Sequence, residues 1–311
     1  MASGSKRVIY AAILANIGIA LAKFIAAAIT SSSAMLSEGI HSLVDTADGA
    51  LLLVGEHLGA RPPDRQHPFG YGREVFFWSF VVAIMIFAVG GGVSIYEGIS
   101  RIREPEPLKS PAWSFAVLGA SFLFEAISFW ISWRHFVERK GDVPFLEAVR
   151  RSKNPPDFMI VFEDGAALIG IVIAALGIAL ELWTGLPVFD GGASIAIGVL
   201  LTAVAWLLAV ETRGLLVGES VSSEIAEGIR HLVEGDEAVE RSGDPLTSYI
   251  GPETVLLNLA IKFRSNLETG ELEKAIDRIE HGIREKFPIV KRVFIAADSL
   301  SEAAPGTSAG S

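Results

Sequence analysis

The chain has 311 residues, half of them hydrophobic, with a mean hydropathy of +0.45, a net charge of −10 and no cysteine. With several long uncharged runs, that composition describes a membrane protein of several spans rather than a soluble enzyme. The absence of cysteine excludes disulfides, thiolate metal sites and cysteine nucleophiles, and the acidic balance gives no support to nucleic-acid binding.

The first apolar run follows Lys6-Arg7 and is too long for the core of a cleavable signal peptide. It predicts a span from about Val8 to Ile29, interrupted by Asn16 and Lys23. Their ordinary structural roles are an interhelical hydrogen bond and a snorkelling ammonium.

A second span, about Ala34 to Leu58, carries Glu38, His41, Asp45 and Asp48 at steps of three, four and three. That spacing sets all four along one helical face over about three turns. An ionisable group near a bilayer centre costs at least about 3 kcal/mol, so such groups face a bundle interior or a water-filled path. One imidazole among carboxylates suits a divalent cation.

The connection from Ala60 to Arg73 is rich in Pro, Gly and Arg and reads as a loop. Within it Asp64 and His67 fit either a surface metal or a cap for the next helix. A third span, about Glu74 to Ile99, contains Gly90-Gly91-Gly92, which permits close helix packing or local flexibility. The fourth, about Trp113 to Trp133, has aromatic ends and an internal Glu125, read either as a proton carrier or as a partner for a neighbouring polar side chain. A basic connection from Arg134 to Asp157 holds a short amphipathic piece around Phe145 to Val149.

The fifth span, about Phe158 to Trp183, carries Glu163-Asp164 inside an apolar run, and Asp190 opens a sixth that ends near Val210. An acid in that first turn complements the helix dipole. With both termini placed in the cytoplasm, twelve Lys or Arg fall on the inner side and three on the outer, which supports six spans and an inward tail.

Beyond Gly218 the pattern turns amphipathic, with helices at Ser223 to Leu232 and Gly270 to Lys286 and strands at Thr254 to Phe263 and Val290 to Ala296. The expected organisation is a transmembrane domain over 1–217, an α+β domain over 218–302 and a disordered end over 303–311. Seventeen acidic against ten basic residues between Glu219 and Glu302 put most of the acidity in that tail.

These features together resemble the cation diffusion facilitator family over nearly the whole chain. His41-x-x-x-Asp45 resembles its metal-binding pair, His67-Pro-Phe-Gly-Tyr-Gly-Arg73 its loop signature, and Asp164 followed by Gly170 its fifth-span motif. The resemblance implies six transmembrane helices with a small cytoplasmic ferredoxin-like, metallochaperone-like domain. It also implies a homodimer in a lipid bilayer, in a bacterial inner (cell) membrane, exporting a divalent metal ion in exchange for protons. No prosthetic group is expected, and Zn²⁺ is the first choice of substrate with Mn²⁺ or Fe²⁺ as alternatives.

The implied transport site joins His41 and Asp45 to Asp164, but the usual His four residues before Asp164 is Ile160. Glu163, about 100° around the helix from Asp164, and Glu38, one turn before His41, are the candidates for the fourth ligand. A cage with two His and two carboxylates is well suited to Zn²⁺, whereas one His with carboxylates also accommodates Mn²⁺ or Fe²⁺. Tyr71 stands where the loop signature has a second His, which reduces an accessory site to Asp64 and His67. Asp298, where many relatives carry His, points to a tail that dimerises rather than senses metal. A membrane metal sensor or scaffold without transport is the alternative of a different class. A metallohydrolase is not indicated, because no base and oxyanion donors accompany the ligands.

Overall fold

The computed structural model describes residues 3–297, with side-chain surroundings described from Asn16 onward except at Arg139 and Leu146. The expected end over 303–311 and Asp298 therefore lie outside the described residues, and the side-chain surroundings of Lys6 and Arg7 are not described. Two compact units divide the chain: a helical one up to Arg213, without the segment Gly59–Arg73, and a second made of that segment and the chain from Gly214.

The helical unit contains α1 (Ser3–Thr30), α2 (Ser33–Gly59), α3 (Glu74–Met85), a π-helical turn (Ile86–Gly91), α4 (Gly92–Arg103), α5 (Pro111–Lys140), α6 (Phe145–Arg151), α7 (Pro155–Thr184) and α8 (Val188–Val217). Among the described residues four helices are long and apolar enough to cross a membrane: Glu74–Arg103, Pro111–Glu138, Pro155–Thr184 and Val188–Val217. The length of α2 would also suffice, but its own carboxylates lower its hydropathy. In α1 the apolar stretch Asn16–Thr30 exposes Ile17, Leu21, Ile25 and Ile29 at steps of four, a single stripe suited to lipid.

The glycine run of the third span lies at the junction of the π turn and α4, as such turns occur within helices. Its Gly91 packs backbone against backbone on α8, where a side chain at Gly198 would meet the Gly91 carbonyl at 2.8 Å. Close packing is thus the use made of that run.

Asp190 corrects its expected role. It does not serve the dipole of its own helix alone; it reaches across to the start of α2, where Ser33 N (2.6 Å), Ser33 Oγ (2.9 Å), Ala34 N (3.4 Å) and Ser32 Oγ all donate to its carboxylate. Ser32 itself caps α2 in the usual manner, its Oγ accepting from Met35 N at 3.1 Å. The buried Arg101 of α4 lies 3.6 Å from the same carboxylate, so one acid ties three helices together.

In the second unit α9 (Ser223–Glu234), β1 (Val239–Ser242), β2 (Leu246–Gly251), β3 (Thr254–Phe263), α10 (Thr269–Lys286) and β4 (Val290–Ala297) follow in order. The central β3 pairs antiparallel with β1 and β2 and parallel with β4. Its alternation buries Val255, Leu257, Leu259 and Ile261, and α9 and α10 bury Ile229, Val233, Ala275, Ile279 and Ile283. The short strands β1 and β2 were not among the predicted elements, because four to six mixed residues carry little periodicity.

Arg278 on α10 grips Asp236 with two hydrogen bonds of 2.7 Å, and Ala238 N adds a third at 3.0 Å. The Arg278 fork, helped by that amide, holds the Asp236 carboxyl below its ordinary range. A depressed carboxylate contributes stability above the unfolded value of about 4 and loses it as pH falls through the folded value.

Two outcomes are expected. Arg278→Ala should raise hydrogen exchange in β1 and α10 only slightly, since Arg278 is half exposed, with the difference closing below the carboxylate range. Asp190→Ala should cost about 3–5 kcal/mol, read as a lower unfolding midpoint in detergent, because it leaves the buried Arg101 without its charge partner.

Candidate functional site

The charged stripe of α2 is split by its neighbours. Lys23 of α1, fully buried, donates to Glu38 Oε2 at 3.0 Å and to Ser42 Oγ at 2.8 Å. The other Glu38 oxygen has no hydrogen-bond partner and lies against Gly170 of α7, where any Cβ would collide with it. The glycine six residues after Asp164 is therefore the place where α7 admits the Glu38 carboxylate. His41 Nδ1 lies 3.1 Å from Asp45 Oδ1 but is not aligned for a hydrogen bond, and both imidazole nitrogens are buried without a partner.

Further along α2, a cavity of about 340 Å³ opens between four helices. Asn16 and Ile19 border it from α1; Ser42, Asp45 and Thr46 from α2; Glu125 and Ser128 from α5; Ile160, Glu163 and Asp164 from α7. Four carboxylates thus converge on one internal space. The helix α7 is regular through this region, yet Glu163 and Asp164 both border the cavity. Their 100° separation is accommodated because the cavity spans the angle between α2 and α5.

Asp164 faces α5, where Ser128 Oγ (3.1 Å) and Ser132 Oγ (2.8 Å) donate to its Oδ2. Glu163 is buried, its Oε1 unpartnered. Asp48 is fully buried with both oxygens unpartnered, and the charges nearest to it are those of Glu163 and Asp45. Glu125 borders the same cavity, and the charges around it are those of Lys23, Asp45, Asp164 and His41.

Of the expected ligands, the structure brings Asp45, Glu163 and Asp164 to one cavity; His41 stands beside Asp45 without bordering it, and Glu38 is held away by Lys23. Among the described residues no three His, Asp or Glu side chains approach closely enough to hold one ion. Ser128 and Ser132 went unnoticed in the sequence, although their spacing of four on one helix is a signal for a shared partner.

In the second unit, the loop Gly59–Arg73 turns about Asp64. Its Oδ1 accepts from Gln66 N (2.8 Å) and His67 N (2.7 Å), and Tyr71 Oη donates to Oδ2 at 2.6 Å. The Tyr71 hydroxyl, then these backbone amides, hold the Asp64 carboxyl below its usual range. His67 Nδ1 is 3.6 Å from Asp64 and its ring lies 4.2 Å from that of Tyr71. Asp64 does not cap the next helix: it organises a turn, and its carboxylate and the His67 ring stay half exposed.

The rest of the motif docks on the sheet. Phe69 meets Phe294 edge to face at 6.2 Å, Arg73 Nη2 donates to Ser248 Oγ at 3.3 Å, and Gly72 lies so close to Ile250 O that no side chain fits.

Residues 9–217 match the family model described as the cation efflux transmembrane domain. Relatives include the proton-coupled zinc antiporter SLC30A9, mitochondrial, of Xenopus laevis, 31% identical over 83% of this chain and 47% of that protein. The human protein of that name is 30% identical over 89% of this chain and 50% of its own length. The zinc transporter ZitB of Escherichia coli is 27% identical over 92% of this chain and 85% of its own. The chain thus spans about half the length of the first two relatives.

On the expectation that Asp164 is a metal ligand, removing the hydroxyls that orient it, in Ser128→Ala/Ser132→Ala, should weaken zinc binding to the purified protein about tenfold. Equilibrium dialysis reads it directly.

Proposed function

The chain belongs to the cation diffusion facilitator (cation efflux) family, and on that premise we propose that it exports a divalent metal cation, Zn²⁺ first, from the cytoplasm in exchange for protons. The observation that carries the reading is the internal cavity bordered by Asp45, Glu125, Glu163 and Asp164 within an apolar bundle. Carboxylates so placed are costly unless they serve an ion or proton path. Relatives named as zinc antiporters and a zinc transporter support the choice of metal and of protons.

The ligands we assign are Asp45, Asp164 and Glu163, with His41 beside Asp45. Glu163 takes the place that Ile160 leaves empty of a donor, since both border the same cavity. Binding draws these groups together across the cavity. Ligands must be deprotonated to hold the metal, so when the site opens to the acidic side protons compete for His41 and the carboxylates and the ion leaves. When the site opens inward, the protons depart and the next ion enters. Rocking of the helix bundle about a midplane site supplies the alternation.

A homodimer in a bacterial inner (cell) membrane, with both termini cytoplasmic, completes the proposal. The twelve-to-three distribution of basic residues supports the orientation. No catalytic step is assigned.

In vesicles holding the purified protein, Asp45→Ala and Asp164→Ala should each reduce zinc-driven proton movement to that of protein-free vesicles. Glu163→Gln should do the same for Zn²⁺ in a stopped-flow series that also includes Mn²⁺, Fe²⁺ and Cd²⁺. Undiminished flux in both aspartate variants overturns the site, and faster flux of Mn²⁺ or Fe²⁺ than of Zn²⁺ overturns the metal.

A further inference from the structure

Lys23 and its partner Glu38 are buried charges that ion binding and proton exchange, as proposed above, do not use. The Lys23 ammonium is fully enclosed, 3.0 Å from Glu38 Oε2 and 2.8 Å from Ser42 Oγ. Glu38 is equally enclosed, and its second oxygen is wedged against the α7 backbone at Gly170. By sequence alone Glu38 is as good a ligand as any on α2, since it stands one turn before His41 on the same face.

We propose that Lys23 is a positioning residue that keeps Glu38 out of the ion's ligand set and so helps to fix which metal the site prefers. The inference rests on the transport reading of the cavity. Two observations support it. Glu38 does not border the cavity that Asp45, Glu163 and Asp164 share, although Ser42, one turn further along α2, does. And a divalent cation that reached Glu38 would have to approach a fixed ammonium 3.0 Å from the same carboxylate, in surroundings where repulsion between like charges is little screened.

Removing the ammonium reverses both conditions. A buried carboxylate that loses its partner is strongly unfavourable and takes up another cation. Glu38, His41 and Asp45 then line one face of α2 as three successive donors. An added carboxylate oxygen makes the set harder, and harder sets favour Mn²⁺ relative to Zn²⁺.

The test measures equilibrium binding of Zn²⁺ and Mn²⁺ to the purified full chain in detergent, for wild type, Lys23→Met, Glu38→Gln, the Lys23→Met/Glu38→Gln pair and Asp45→Ala. Glu38→Gln should bind both metals as wild type does. Lys23→Met should shift the ratio of affinities about tenfold toward Mn²⁺, the size of effect that neighbours of ligands exert. The paired variant should return to within about twofold of wild type, a rescue that a merely structural role for Lys23 would not give.

A ratio unchanged in Lys23→Met, or a shift that persists in the paired variant, overturns the inference. So does a tenfold loss of zinc affinity in Glu38→Gln alone, which decides the matter even if Lys23→Met does not fold. The Asp45→Ala protein separates the two readings: if it loses zinc while Glu38→Gln keeps it, both stand. If both variants lose zinc, the inference falls and the transport reading remains.

Discussion

An ionisable side chain inside an apolar bundle must find its partner inside the same bundle, and most of this structure follows from how that demand is met. Water is not there to solvate a charge, and an uncompensated one costs several kcal/mol. Lys23 with Glu38, and Arg101 with Asp190, meet the demand as pairs drawn from different helices. Asp164 meets it with two serine hydroxyls, and Glu181 with the Leu108 amide at 3.3 Å. What remains is informative. Both oxygens of Asp48, one each of Asp45, Glu163, Glu38 and Glu181, both His41 nitrogens and two nitrogens of Arg101 are buried without a hydrogen bond, and of these residues Asp45 and Glu163 border the cavity. On the transport reading proposed above, Asp45 and Glu163 at the cavity are kept for a mobile positive charge.

The same accounting explains which parts of the molecule could be read from the sequence. Apolar runs gave the helices, alternation gave β3, and the steps from Glu38 to Asp48 gave a charged face on α2. Each of those signals is local. The partner of each charge is not: Asp190 lies 157 positions from Ser33, and Lys23 is fifteen from Glu38 on another helix. Periodicity tells which face a residue occupies on its own helix and says nothing about which neighbour that face meets. Hence Asp190 read as a dipole partner for α8, although its charge serves the start of α2, and Lys23 read as a snorkelling side chain, although it is fully enclosed.

The loop motif shows a second limit. His67-Pro-Phe-Gly-Tyr-Gly-Arg73 carries two residues with metal-binding chemistry, Asp64 upstream and His67 within it, and residue type alone favours a metal. Geometry assigns the chemistry elsewhere. Two backbone amides and the Tyr71 hydroxyl occupy the oxygens of Asp64, while Phe69, Gly72 and Arg73 pack on the sheet that contains β2 and β4. The motif's glycine and aromatic residues were legible as a loop, but their docking surface lies more than 170 positions away along the chain.

The absence of a histidine at Ile160 can now be followed to its physical consequence. Ile160 borders the cavity one turn from Asp164, in the direction from which an imidazole would have entered. With an apolar side chain there, the nearest donor on α7 is Glu163, whose carboxylate enters from the α2 side, near Asp48 and Asp45. The donor that replaces nitrogen is therefore an oxygen, and it brings a negative charge that an imidazole does not. More carboxylate in the cavity means more negative charge to neutralise whenever the metal is absent, and on the transport reading proposed above protons do so. Replacing His by Glu at such a site hardens the ligand set and, by the same change, binds metal release more tightly to proton uptake. On the same reading, zinc tolerates oxygen ligands well enough to remain the cargo while that coupling grows stronger.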